Sequence, residues 1–323
     1  METGPKVNVY FIGKNPLNEA MNPRFRRFFG IFLVFSALIA GVLYLVSGML
    51  AHFAMTVPAA TKPNFTPSML NLPYETRHVE TADHTHLAAW WIPSSGKGQP
   101  VVVIHGLGAS KEFMTGFIVV AHETGHPVLA IDLRGHGESD PGPTTLGSKE
   151  PLDVAAWVGQ LRAEGYPHPI LWGISLGAVT ALRSAAADPE IGGVIADAPF
   201  DTLAHTLAVH AKLYFNLPPF PLLYLTEWRM ERQLHLAIAE VDSFRAARAV
   251  RCPLLIIAAG SDKRMSLSSV KAVYEAAHEP KRFYLSPGED HETRRFGPEF
   301  RAATGDFLRF CDERISSSSR IAR

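Results

Sequence analysis

Five short runs of the chain are apolar without alternation: PVVVIH (100–105), PVLAID (127–132), PILWGI (169–174), IGGVIA (191–196) and PLLIIA (253–258). A strand with one face in water alternates apolar and polar residues. A short continuous apolar run fits instead a strand covered on both faces, as in a parallel sheet under helices. Helical patterns fall between and after these runs, over Lys111–Glu123, Pro151–Glu164, Leu176–Ala187, Ser268–His278 and Phe300–Arg314. Glu75–Thr81 and Leu87–Pro93 read as an opening pair of strands, and Lys281–Leu285 as a late one. Strands alternating with helices predict an α/β fold, a mostly parallel sheet with helices on both faces. The rhythm breaks only over residues 199–250, a stretch too long for an ordinary connection and mostly helical in pattern, which reads as a small cap insert. The α/β domain then spans 74–314. The serine-rich end, 315–323, is expected to be a disordered tail.

Ahead of this domain lies a different kind of segment. Residues 28–55 contain no Asp, Glu, Lys or Arg. Their length exceeds the about 20 helical residues that cross a hydrocarbon core. Lys6, Lys14, Arg24, Arg26 and Arg27 precede the run, and the next lysine or arginine is Lys62. That asymmetry assigns 1–27 as a basic cytoplasmic N-terminus and 28–55 as a transmembrane signal anchor, with the C-terminal bulk on the outer, extracytoplasmic or lumenal side. A cleaved signal peptide would have an apolar core of about 7–15 residues and a small-x-small site; this run is longer, with poor sites near Ala51 and Ala54. A buried core helix is the third reading, and the run is apolar on all faces. Residues 56–73, with Pro58, Pro63, Pro67 and Pro73, read as an extended linker.

Composition narrows the function classes. Lysine plus arginine balances aspartate plus glutamate at 31 each, which leaves no basic excess for nucleic acid. The two cysteines, Cys252 and Cys311, form no Cys/His ligand spacing, so no zinc site is expected; they read as apolar thiols whose pairing stays open.

The chemistry-bearing residues stand at the ends of the apolar runs. Gly173-Ile174-Ser175-Leu176-Gly177 matches G-x-S-x-G between a strand and a helix, the context of a nucleophile elbow. Such a turn holds the serine hydroxyl exposed in strained backbone geometry, and its glycines remove side chains that would clash. The plainer reading is a glycine turn whose serine caps a helix. Serine needs an adjacent base, itself oriented by a carboxylate, and on this framework the chain order is Ser, then Asp or Glu, then His. Asp262 follows PLLIIA and His291 follows the strand at 281–285. Asp197 is the rival acid, while Glu289 and Asp290 read as solvated neighbours of His291. His105-Gly106-Leu107-Gly108 offers a backbone N–H at Leu107 that, with that of Leu176, would form an oxyanion hole. Asp132 to Ser139 (DLRGHGES) reads as a charged brace near the site, His105 as structural, and Trp90, Trp91 and Trp172 as core.

Together HGLG (105–108), DLRGHGES (132–139), GISLGA (173–178), GSD (260–262) and the Asp290-His291 pair resemble the α/β-hydrolase superfamily over about 74–314. Within it the chain is similar to small-capped esterases and serine aminopeptidase-like hydrolases carried on an N-terminal membrane helix. The resemblance implies Ser175 as nucleophile, His291 as base and Asp262 as orienting acid. One departure is Ala258-Ala259-Gly260 before the acid, where many relatives have His-Gly.

The expected function is a serine hydrolase that cleaves a carboxylic ester or thioester through an acyl-enzyme, with no metal or organic cofactor. A peptidase or amidase using the same triad, and a non-catalytic membrane-tethered scaffold, are the alternatives. The substrate partner is a small acyl molecule. Tyr214, Phe215, Leu217, Phe220, Leu222, Leu223 and Leu225 either line a pocket for a lipid-like acyl chain, rest on a membrane, or form the cap's own core, the plainest of the three.

Overall fold

The computed structural model describes residues 22–57, 64–291 and 296–321. Lys6 and Lys14 of the basic N-terminus, linker positions 58–63 and the last two residues of the tail lie outside them. The chain forms two compact units, one ending at Val46 and the other running from Ser47 onward.

A single helix, α1 (Pro23–Met55), begins at a proline, which suits a first helical turn. It contains an 18-residue window of mean hydropathy 2.5, none of it buried, and is long and apolar enough to cross a membrane. Its last turns behave differently. Ser47, Ala51 and Met55 are buried, and Ala51 and Met55 belong to the core of the second unit.

The second unit is built on one eight-stranded sheet. Its strands are β1 (Glu75–Glu80), β2 (His86–Ile92), β3 (Val101–Ile104), β4 (Val128–Ile131), β5 (Ile170–Ile174), β6 (Gly193–Asp197), β7 (Leu254–Ala259) and β8 (Lys281–Ser286), in the spatial order β1-β2-β4-β3-β5-β6-β7-β8. β2 runs antiparallel to both its neighbours, β1 and β4, and the remaining pairs are parallel. Period-two geometry divides each continuous apolar run between the two faces. Val102, Ile104, Leu129, Ile131 and Leu171 enter one core; Val101, Val103, Val128, Ala130 and Trp172 enter the other.

The first face is covered by α3 (Glu150–Ala163), α4 (Leu176–Ala187), α7 (Ser243–Ala249) and α8 (Leu267–Ala276), the second by α2 (Thr115–Glu123) and α9 (Pro298–Ile321). The segment expected to be helical from Lys111 opens as a 3-10 turn over Lys111–Met114. Asp132 accounts for this, since its carboxylate accepts the Lys111 backbone N–H at 2.7 Å and pairs with the same residue's ammonium. At the other end α9 continues to Ile321, seven residues past Arg314, where a disordered tail was expected. Serine is tolerated in a helix when its hydroxyl bonds back one turn, as Ser317 does to the Glu313 carbonyl at 2.8 Å.

Between β6 and β7 the cap comprises α5 (Leu203–Phe215), α6 (Tyr224–Leu234) and α7. Thr202 and Asp242 cap α5 and α7, accepting from the N–H groups of His205 and Arg245. The cap's buried residues include Leu203, Met230, Leu234, Ile238 and Val241. None of the seven apolar residues from Tyr214 to Leu225 is buried, so they are not the cap's own core. Phase accounts for two of them: α5 and α6 turn Leu203 and Met230 inward, and Phe215 and Tyr224 each stand about 120° round their helix from that direction, facing out.

Candidate active site

Parallel strands end together, and here four of them carry the site. Ile174 of β5 pairs with Asp197 of β6, Asp197 with Ile257 of β7, and Ala259 of β7 with Ser286 of β8. The loops after β5, β7 and β8 therefore open onto one edge, where ligands of open α/β sheets bind.

Ser175 stands between β5 and α4 with φ 54° and ψ −115°. A non-glycine residue there is strained, and such strain persists only when the surroundings enforce it. They do so tightly. The Ser175 N–H donates to the Asp197 carbonyl at 2.8 Å. A side chain at Gly173 would collide with the Gly177 carbonyl, and one at Gly177 with the carbonyls of Ile104 and His105. The serine makes no side-chain cap bond to α4, which leaves the helix-cap reading without support.

His291 bridges Ser175 and Asp262. Its Nε2 lies 3.0 Å from Ser175 Oγ and its Nδ1 2.7 Å from Asp262 Oδ2. With a carboxylate accepting at Nδ1, the ring carries its proton there and presents Nε2 as acceptor to the hydroxyl. The other oxygen of Asp262 accepts the N–H groups of Arg264 and Met265, both at 2.8 Å. Burial of Asp262 opposes its charge. The hydrogen bond and charge of His291, with those two N–H groups, outweigh that and hold the carboxyl below its ordinary range.

The rival acid, Asp197, meets the serine through its main-chain carbonyl, as above. Asp290 is exposed as expected, but Glu289 is buried rather than solvated. The loop folds back so that the Ser261 N–H donates to the Glu289 carbonyl at 2.8 Å, drawing the residue against the 260–262 turn.

The 105–109 turn approaches the serine from β3, with the Gly106 α-carbon beside the Ser175 side chain. Leu107 and Leu176 follow the two turns, and the Leu176 N–H, first in α4, has no intrahelical acceptor. Two buried histidines fix this turn. His105 donates from Nδ1 to the Gly106 carbonyl and accepts the Leu133 N–H at Nε2; His136 donates to the Arg134 carbonyl and accepts the Gly108 N–H at 3.2 Å. Burial holds both rings below the ordinary histidine pKa, in the neutral form that can donate and accept at once. The charged brace is densely paired: Asp132 with Lys111 and the Glu138 N–H, Arg134 with Asp153 and Asp83. Trp90, Trp91 and Trp172 lie in the core.

His210, on α5, was not singled out by sequence. Its Nε2 is buried without a hydrogen-bond partner among the described residues. One turn on, Tyr214 meets both the His210 ring and the Arg264 guanidinium. One turn back, Thr206 lines a cavity of about 100 Å³ together with Arg264 and Met265. This face of α5 thus covers the turn that holds Asp262. Burial, then the neighbouring Arg264 guanidinium and His291 ring, lowers the His210 pKa, with Asp262 opposing.

This fold and edge define an α/β hydrolase, and comparison with known proteins agrees. Residues 101–312 match the model of the alpha/beta hydrolase family. The chain belongs to that family and is a hydrolase. It is similar to an uncharacterized protein of Mycobacterium tuberculosis, 29% identical over 216 residues that cover 66% of this chain and 70% of the relative. It is also similar to the lysophosphatidylserine lipase ABHD12 of Danio rerio, 24% identical over 69% of this chain and 61% of the lipase. Among solved structures, the Pyrococcus furiosus esterase Pf2001 superposes with a TM-score of 0.67 at 26% identity, covering 79% of this chain and 97% of the esterase.

Proposed function

We propose that this protein is a membrane-anchored serine hydrolase that cleaves carboxylic esters or thioesters through an acyl-enzyme on Ser175. The observation that carries the reading is the unbroken relay from Ser175 Oγ through His291 to a buried, charge-stabilised Asp262. In the proposed cycle His291 Nε2 takes the hydroxyl proton as Oγ attacks the acyl carbonyl. Asp262 holds the ring in the acceptor tautomer and stabilises the imidazolium. The Leu107 and Leu176 N–H groups receive the charge on the carbonyl oxygen. The tetrahedral intermediate collapses as His291 returns the proton to the leaving alcohol or thiol. Water, deprotonated by the same ring, then attacks the acyl-enzyme; carboxylate is released and Ser175 regains its proton.

The apolar, unburied window of α1 supports anchoring, and Arg24, Arg26 and Arg27 before it support an N-terminus in the cytoplasm with the hydrolase on the outer side. An acyl, lipid-like substrate is supported by the lipase and esterase relatives.

The test is a matched panel of acyl esters, acyl thioesters and aminoacyl amides given to the detergent-solubilised full chain. The reading expects ester or thioester turnover with amide turnover at least about a hundredfold lower. Amide turnover equal to or above that of the esters assigns the protein to the peptidases instead.

A further inference from the structure

A soluble enzyme buries its large aromatic residues or scatters them singly over the surface. The cap does neither. Phe215 at the end of α5, Phe220 in the turn that follows, and Tyr224 and Trp228 one turn apart on α6 are all exposed. Phe220 and Tyr224 meet edge to face, at 6.4 Å between ring centroids. The same surface includes the end of α1. Phe53 and Phe215 stand edge to face at 6.2 Å, and Met49, one turn before Phe53, is exposed as well. Arg229 of α6 lies against Gly48, so the cap and the last turns of α1 are packed together.

We infer that this ridge, from Met49 and Phe53 through Phe215 and Phe220 to Tyr224 and Trp228, docks onto a phospholipid bilayer surface. The inference rests on the anchored reading proposed above. The ridge begins with Met49 and Phe53, which belong to the same helix, α1, as the apolar window read as the anchor. Its composition suits the boundary between headgroups and acyl chains. Tyrosine and tryptophan are enriched at that level, and cations there meet lipid phosphates. Arg232 places its guanidinium over the Trp228 ring, 4.8 Å from the centroid. The Glu231 carboxylate of the same helix is occupied by the Ile238 N–H at 2.9 Å. Docking also has a consequence for supply. The exposed end of α5 carries Phe215, while His210 and Thr206 of the same helix cover the Asp262 turn, so one helix would link the lipid surface to the edge that holds Ser175.

Tryptophan fluorescence tests this directly. Of the five tryptophans, Trp90, Trp91, Trp157 and Trp172 are between 0% and 7% exposed and Trp228 is 45% exposed. The full chain is reconstituted into phosphatidylcholine vesicles with plain or dibrominated acyl chains, which quench indole on contact. Docking predicts emission lower in the brominated vesicles by up to about one fifth, the share of one ring in five, and loss of that difference in Trp228→Phe. Phenylalanine keeps the ridge aromatic, and the four core tryptophans report folding of the variant. Vesicle-bound protein whose wild type and Trp228→Phe are quenched equally would overturn docking and leave the anchored reading intact. Failure to float with vesicles would overturn both. Shielding of Trp228 from bromolipid and from aqueous acrylamide alike, with a cross-linked dimer lost on dilution, would assign the ridge to a second copy and overturn the lipid inference.

Discussion

The edge of the sheet around Ser175 and the outer surface of the cap make opposite use of the same residue types. At the sheet edge, polar groups are buried and paired. Asp132, Lys111, His105 and His136 have little or no contact with solvent, and each has named partners. On the cap, large apolar groups such as Phe215, Phe220, Tyr224 and Trp228 are exposed. The difference separates a region whose geometry is over-determined by its own interior from one whose surface is completed by its surroundings. A strained Ser175 is tenable only in the first, because strained backbone survives where several contacts enforce it.

This contrast can be broken in graded ways. The largest effect is expected for Ser175→Ala, which should lower kcat on a short-chain ester by about 10⁴-fold or more. Its melting temperature should stay within a few degrees of wild type, since the small side chain still fits the elbow. Asp262→Asn should follow, at about 10³- to 10⁴-fold in kcat, because the amide no longer fixes the His291 tautomer. It also carries a pH signature. The native Asp262 carboxyl is held below its ordinary range, so its contribution to stability is complete above the unfolded carboxylate pKa and disappears as pH falls through the native value. The stability gap between wild type and Asp262→Asn, followed by urea unfolding, should therefore narrow as pH falls through and below the unfolded carboxylate value of about 4.

Next comes the backbone. Gly177→Ala drives a Cβ into the carbonyls of Ile104 and His105 and should cost on the order of 2–4 kcal/mol in urea unfolding, whatever it does to activity. By contrast Trp228→Ala, despite deleting a larger group, should change stability by about 0.5 kcal/mol or less in detergent. Equal losses at the two positions would erase the distinction between the regions. The smallest effect concerns Cys252. Both cysteines are free thiols, and burial pushes the Cys252 thiol up to about 12. Only about one thiol in 10⁴ is then ionised at pH 8, so iodoacetamide should alkylate it far more slowly than glutathione.

What the sequence made legible follows the same division. The parallel sheet could be read because each buried strand is a contiguous apolar run, and β3 to β7 lie within the runs named for them, give or take one residue. The elbow could be read because strand, glycines, serine and helix fall within a few consecutive positions. His210 and Glu289 could not. Their burial depends on how α5 and the 287–291 loop fold over the turn after β7, a tertiary contact that leaves no local pattern. The cap aromatics were misjudged for a related reason. Composition distinguishes apolar from polar, but the phase of α5 and α6 and the place along each helix decide which apolar residues are covered. His105 was legible as structural and His136 as part of the brace, but their partners were not, since each ring joins two loops 28 residues apart.

The central claim is that Ser175 is an activated nucleophile, and fluorophosphonate labelling of membranes containing the full chain tests it most directly. The account predicts a labelled band of the correct mass that Ser175→Ala abolishes while the variant still accumulates as folded protein. Absence of labelling on folded wild type, or labelling that survives Ser175→Ala, would contradict it.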